Sequence, residues 1–140
     1  HKLNLQKRII FSDSGLPLFF EDTDGRNIAL NKVDDTYSFS DESRRIIRKQ
    51  GNAYKLEHSD FSYEYYDVIG RIDYCVDKYG ETILNYSYEN GKLKSITYRE
   101  NKKIELDYNN LGLIEYIHFI CNNSTICTSE IISVTFALTS

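Results

Sequence analysis

Three kinds of side chain in this sequence could do chemistry: thiols, carboxylates gathered near a glycine, and imidazoles. The cysteines are Cys75, alone, and Cys121 with Cys127. Between the pair lies Asn122-Asn123-Ser124-Thr125-Ile126, a polar turn sequence with Ile120 before it and Ile131-Ile132 after it, the pattern of a short hairpin loop. A disulfide across the neck of that loop fits the spacing and implies an oxidising compartment; reduced thiols are the alternative. A closed zinc site needs four ligands, and His118 with the two cysteines supplies at most three. Cys75 is expected to be a buried, inert core thiol.

The run Asp22-Thr23-Asp24-Gly25 invites a calcium reading, because hard cations take clustered carboxylate oxygens around a glycine turn. Its register fails: with Gly25 as the loop glycine, the first ligand position falls on Phe20 and the twelfth on Asn31. A tight turn with solvated acids is the better account. His1, His58 and His118 lie far apart, and neither a nucleophile elbow, an HExxH helix nor a phosphate loop is written in the chain. His118 reads as a half-buried strand residue. Glu105 and Asp107 share one face of a strand, where a carboxylate pair is usually solvated, and catalysis would need a cleft around it. The chain is expected to be non-enzymatic, with no cofactor.

The elements that would position these residues are strands. The 140 residues suit one domain, and hydrophobic and charged fractions of 41% and 27% are those of a folding globular chain. Twelve Tyr and seven Phe without a Trp favour pleated surfaces, on which flat rings pack while the tyrosine hydroxyl stays wet. No run of about 18 apolar residues is present, so no membrane span is expected. The chain opens on His1-Lys2 and holds no Met, as expected of a processed chain or an excised domain whose signal or lipoprotein leader is gone.

Net charge is -4, with no basic tail to compensate phosphates, which disfavours nucleic acid. The distribution is uneven. Asp13, Glu21, Asp22, Asp24, Asp34, Asp35, Asp41 and Glu42 face only Arg26 and Lys32, and then Arg44, Arg45, Arg48, Lys49 and Lys55 follow with no acid before Glu57. Two solvated strand faces account for this; so does a docking face on which Asp22, Asp24, Asp34, Asp35, Asp41 and Glu42 attract a basic partner. Tyr63, Tyr65, Tyr66, Tyr74, Tyr79, Tyr86 and Tyr88 cluster in sequence, mostly as core; Tyr63 and Tyr65 are the candidate aromatic contacts for a partner.

The strongest signal is a period. Gly70, Gly91 and Gly112 are 21 residues apart, each followed by a variable residue and a branched aliphatic (Ile72, Leu93, Ile114). Tyr66, Tyr88 and Tyr108 precede them with offsets of 22 and 20, so the middle turn is shorter, as a bulge or an Asn-Gly hairpin requires. A second turn falls at Gly80 and at Asn101, both tolerant of positive φ. Two turns per unit make two strands per unit, an antiparallel meander whose neighbours bury a shared face. Residues 1–60 carry degenerate strands of the same vocabulary, with Pro17 at a strand start or edge. Ser43 to Gln50 could form a helical turn or two. Residues 120–140 read as a closing hairpin, with Ile131 to Leu138 as its last strand.

The run Tyr66-Asp67-Val68-Ile69-Gly70-Arg71-Ile72, followed by Asp77-Lys78-Tyr79-Gly80, resembles the tyrosine-aspartate (YD, or RHS) repeat of bacterial surface and secreted proteins. The likeness covers residues 61–119; Glu89 and Asn109 stand for the aspartate, and Lys92 and Leu113 for the arginine, in the later units. It implies an all-β protein, one 1–140 antiparallel β-meander domain built from degenerate YD-type repeats, in the periplasm or outside the cell. It also implies a neighbourhood of secreted toxins. The expected function is therefore a protein-binding module, in its most concrete form an immunity-type protein blocking a basic toxin domain. The alternative is a structural cell-surface or shell segment of a larger repeat protein.

Overall fold

The computed structural model describes residues 6–121. Among them the chain forms twelve strands and no helix: β1 (Arg8–Phe11), β2 (Pro17–Glu21), β3 (Asn27–Val33), β4 (Thr36–Phe39), β5 (Ile46–Gln50), β6 (Ala53–Glu57), β7 (Tyr63–Tyr66), β8 (Ile72–Val76), β9 (Thr82–Glu89), β10 (Lys92–Tyr98), β11 (Lys102–Tyr108) and β12 (Ile114–Cys121). They lie side by side in sequence order in one antiparallel sheet, the expected meander. The stretch 43–50 forms no helical turn, because Ile46–Gln50 is β5, paired with β4 and β6. The closing strand expected over Ile131 to Leu138 lies outside the described residues.

The turns explain the register. Six of them share one geometry: the first residue takes a hydrogen bond on its carbonyl from the fourth N–H and donates its own N–H to the fifth carbonyl. At Asp67–Arg71 these distances are 3.0 and 2.8 Å, and at Asn109–Leu113 they are again 3.0 and 2.8 Å. The fourth residue has positive φ in each, and it is Gly15, Gly25, Gly70, Gly80 or Gly112 in five turns and Phe61 in the sixth. A first-position Asp or Asn strengthens the turn: Asp67 Oδ1 accepts from the N–H of Ile69 (3.1 Å) and Arg71 (2.9 Å), and Asn109 Oδ1 from Leu111 (2.9 Å) and Leu113 (3.0 Å). Gly91 sits instead in a two-residue turn with Asn90, both at positive φ, which accounts for the shorter middle connection. The turn expected to use Asn101 uses Arg99 at φ 56 in its place, with the Arg99 N–H held 2.8 Å from the Ile83 carbonyl.

Alternation then sorts side chains by face. Ile28 and Leu30 on β3, Tyr37 and Phe39 on β4, Tyr54 and Leu56 on β6, and Ile104 and Leu106 on β11 point inward, with more exposed residues between them. Among the described residues no second layer covers it, and the inner face is buried by curling. Phe20 packs against Phe39 (5.0 Å between centroids) and edge-on to Tyr66 (5.8 Å), and Phe11 reaches Tyr54 (5.5 Å). The curl brings β1 to the β7–β8 turn, where the Ile9 N–H donates to the Gly70 carbonyl at 2.8 Å and Arg8 bridges Arg71. Gly70 is buried in that seam, and a Cβ there would collide with the Ile9 carbonyl oxygen and lie 2.9 Å from Phe11 Cε2.

Gly80 occupies the same turn position with nothing within 4 Å of a built Cβ. Gly80→Ala is therefore expected to lose about 1 kcal/mol from backbone strain alone. Gly70→Ala adds a collision with backbone and should lose about 3 kcal/mol or more. Urea denaturation of the two variants measures the difference, and equal losses would dismiss the seam as a tight contact.

Candidate functional site

The acids expected to form one docking face do not. Each connection reverses the chain, so successive turns alternate between the two ends of the sheet. Asp22, Asp24, Asp41 and Glu42 lie in the β2–β3 and β4–β5 turns at one end, while Asp34 and Asp35 form the β3–β4 turn at the other. Most of the first group is also answered internally. Arg45 donates to Asp22 Oδ2 (3.1 Å) and Asp41 Oδ2 (3.2 Å), with its guanidinium 4.3 Å from the Phe39 ring centroid and 5.5 Å from that of Phe20. Asp24 pairs with Arg26 at 2.5 Å. Burial raises the Asp41 carboxyl, but hydrogen bonds from Ser43 and the charge of Arg45 outweigh it and hold the group below its ordinary range. Arg45 thus closes a turn-to-turn clasp over two core rings, and Asp34, Asp35 and Glu42 remain as exposed acids.

The two candidate tyrosines do come together. On β7, Tyr63 and Tyr65 alternate with buried Glu64 and Tyr66 and so point away from the core. Tyr65 stacks on its cross-strand partner Tyr74, with centroids 4.4 Å apart and planes 12° from parallel. Lys55 places its Nζ 3.9 Å over the Tyr63 ring. Cross-strand pairing extends this row from Arg48 through Lys55, Tyr65 and Tyr74 to Asn85. The result is an aromatic slab with a cation seated on it, half-buried and held by strands rather than loops, which limits the entropy lost on contact.

A buried polar cluster escapes sequence inspection. Glu64 is 5% exposed and faces the interior, where Tyr66 Oη donates to Oε1 at 2.6 Å, Lys7 Nζ lies 3.3 Å from Oε2, and His58 Nε2 bonds Oε2. Burial pushes the Glu64 carboxyl up, but Lys7 and the His58 hydrogen bond prevail and bring it to about 2. Cys75, paired with Glu64 across β7 and β8, is buried and free; burial first and the Glu64 charge second push its thiol up to about 12, so it is no nucleophile at neutral pH. The cluster ties the segment before β1 to β6–β8.

The last described strand differs from the others. Every residue of β12 from Ile114 to Ile120 is exposed, with Ile114, Tyr116, Ile117, Phe119 and Ile120 its large apolar groups, and Leu111 and Leu113 in the turn before it are exposed as well. His118 is exposed rather than half-buried, with Nε2 2.6 Å from Asp107 Oδ2; Asp107 also takes Lys94 at 3.3 Å. Asp107 and Lys94, with Glu89, Lys92 and Tyr108, line a cleft of about 420 Å³ in which Lys94 and Asp107 pair with each other. Cys121 ends β12, and Cys127 lies outside the described residues. Among the described residues no group of three or more His, Cys, Asp or Glu is placed to hold a metal ion, and no helix is long and apolar enough to cross a membrane. No family model matches the chain, and no curated protein matches it.

A buried carboxylate with a depressed folded-state value stabilises the fold above its unfolded value and loses that contribution as pH falls through the folded one. For Glu64 the window runs from 4.5 down to about 2. Over it the chain should lose on the order of 3 kcal/mol from this group. Denaturation midpoints taken across that range would show the slope, and Glu64→Gln should be less stable at neutral pH with a flatter profile. An unchanged profile in the variant would remove Glu64 as the source.

Proposed function

We propose that the chain is a non-enzymatic, extracytoplasmic protein-binding module that meets its partner through the outward face of β6–β8. The observation that supports this reading is the solvent-side arrangement of Tyr63, Tyr65 and Tyr74 with Lys55, in a structure whose acids are mostly paired or divided between opposite ends. Tyrosines offer large rigid contact area and dominate interface energetics, whereas exposed acids mainly set encounter rates. In its most concrete form the module is an immunity-type protein that neutralises a secreted toxin. That form rests on the likeness of residues 66–80 to the YD repeat and on the toxin systems in which such repeats occur.

The second reading, a structural segment of a longer repeat array, draws support from the geometry at successive turns. Tyr88 Oη donates to the Ile72 carbonyl (2.5 Å) under the Arg71 guanidinium, and Tyr108 Oη donates to the Leu93 carbonyl (2.5 Å) beside Lys92. Each such staple fastens one pair of strands to the next, as an array needs.

The extracytoplasmic setting carries a chemical consequence, a disulfide between Cys121 and Cys127. Mass spectrometry of the unreduced chain should show two protons fewer than the reduced chain, with Cys75 alone alkylated after unfolding. Finding the thiols of Cys121 and Cys127 free would sink that pairing.

Association kinetics separate the two kinds of contact. With the partner recovered from the source cell, Tyr65→Ala should raise the dissociation rate by about 10-fold or more, with little dependence on salt. Reversal of Asp34 and Asp35 to lysine should change the association rate by less than about 3-fold and leave the melting temperature nearly unchanged. The opposite pattern would return recognition to the acids.

A further inference from the structure

The inner face of the curl is mostly apolar and changes character at one end. At the end that carries the β3–β4 and β5–β6 turns, four inward positions adjoin: Lys32 opposite Tyr37, and Lys49 opposite Tyr54. Lys49 is two residues beyond Ile47, the cross-strand partner of Tyr37, so it stands diagonal to that tyrosine and joins the two pairs into one group. Both lysines continue the inward alternation of their strands, Lys32 after Ile28 and Leu30 and Lys49 after Ile47, and both are exposed.

These four side chains hold donors that the protein does not use. Tyr66, Tyr88 and Tyr108 donate their hydroxyls to Glu64 and to the carbonyls of Ile72 and Leu93. Tyr37 and Tyr54, each only 6% exposed, have no acceptor among the described residues, and their oxygens are open to solvent. Tyr86 also lacks an acceptor, but the residue opposite it is Ile96. Burial first and Tyr37 second push the Tyr54 phenol up, so the two hydroxyls lie within electrostatic reach of each other. Among the described residues no carboxylate lies within ion-pair distance of either lysine, although Asp34 and Asp35 occupy the adjoining turn. Ammonium and phenol groups converging from four strands complement a compact anion with oxygens on several sides, and burial of the tyrosine rings limits the entropy lost on contact. The two acids of the turn restrain the wider positive field, so the group suits one anionic centre rather than a polyanion. We propose that Lys32, Tyr37, Lys49 and Tyr54 form a binding site for a tetrahedral oxyanion, the phosphoryl or sulfuryl group of a monoester. The site lies on the opposite face of the sheet from Tyr63 and Tyr65 and does not depend on the contact proposed there.

Nuclear magnetic resonance titrations of the full 140-residue chain test this, with sodium phosphate and separately sodium sulfate, each against sodium chloride at equal ionic strength. Signals of the four side chains should shift and saturate, with a dissociation constant of about 1 mM or tighter for at least one anion. The tighter of the two identifies the ester. Tyr37→Phe with Tyr54→Phe should weaken that anion about 10-fold or more. The urea midpoint should stay nearly unchanged, because the lost hydroxyls bond nothing in the protein. Lys32→Gln with Lys49→Gln, at exposed positions, should weaken the anion at least as much. Shifts that chloride reproduces, that grow without saturating, or that saturate only at other residues would overturn the site. So would an affinity left unchanged in either pair of variants.

Discussion

A single sheet that no second layer covers among the described residues has to supply both walls of its own core, and that constraint shapes this molecule. Twelve strands in sequence order would make a two-faced ribbon wetted on both sides; the right-handed twist and the bulged turns let it curl until Phe20 meets Tyr66 and Ile9 meets Gly70. The buried set, from Ile9 to Leu106, lies on the inside of that curl. Gly70 is where the constraint is tightest. It serves a turn that needs positive φ and a seam that leaves no space for a side chain.

Curling also decides which charges can meet a partner. Side chains drawn inside must be neutralised there, hence the lysine, imidazole and phenol around Glu64. At the rim, Arg45 answers two turns at once and stacks on core rings, so its carboxylate partners belong to the fold before they belong to any interface. The outer face of β6–β8 has no such internal duty. Its tyrosines are ordered by pairing with neighbouring strands, and their outer edges stay available to another molecule.

Much of the architecture was legible because it is written in turns. Asp67-Val68-Ile69-Gly70-Arg71 and Asn109-Asn110-Leu111-Gly112-Leu113 announce their geometry residue by residue, and Asn90-Gly91 announces its shorter one. What could not be read depends on distance in space. Glu64 looks like a surface carboxylate in Tyr63-Glu64-Tyr65, because the lysine that balances it lies 57 residues away. The acidic run from Asp22 to Glu42 looked continuous because sequence does not show that alternate turns sit at opposite ends. Arg99 displaced Asn101 at positive φ because its backbone N–H is held by Ile83, a contact that outweighs intrinsic preference. Tyr63 and Tyr65 stood out in a run of tyrosines clustered in sequence; their outward direction and the stacking partner Tyr74 required the strand β7 and its register with β8.

The sequential strand order also determines how such a molecule yields to a mechanical load. Among the described residues every full ladder joins neighbours along the chain, so tension applied at β12 peels one hairpin at a time, breaking a few hydrogen bonds per step instead of shearing a whole ladder at once. The seam at Ile9 and Gly70 is the exception. It bridges distant parts of the chain, and its loop-closure entropy is recovered only after the intervening hairpins exist, which places it late in assembly. Under tension it acts as a clip: strands beyond β8 can unzip and rezip while the N-terminal coil keeps its shape, giving one chain a compliant end and a stiff end.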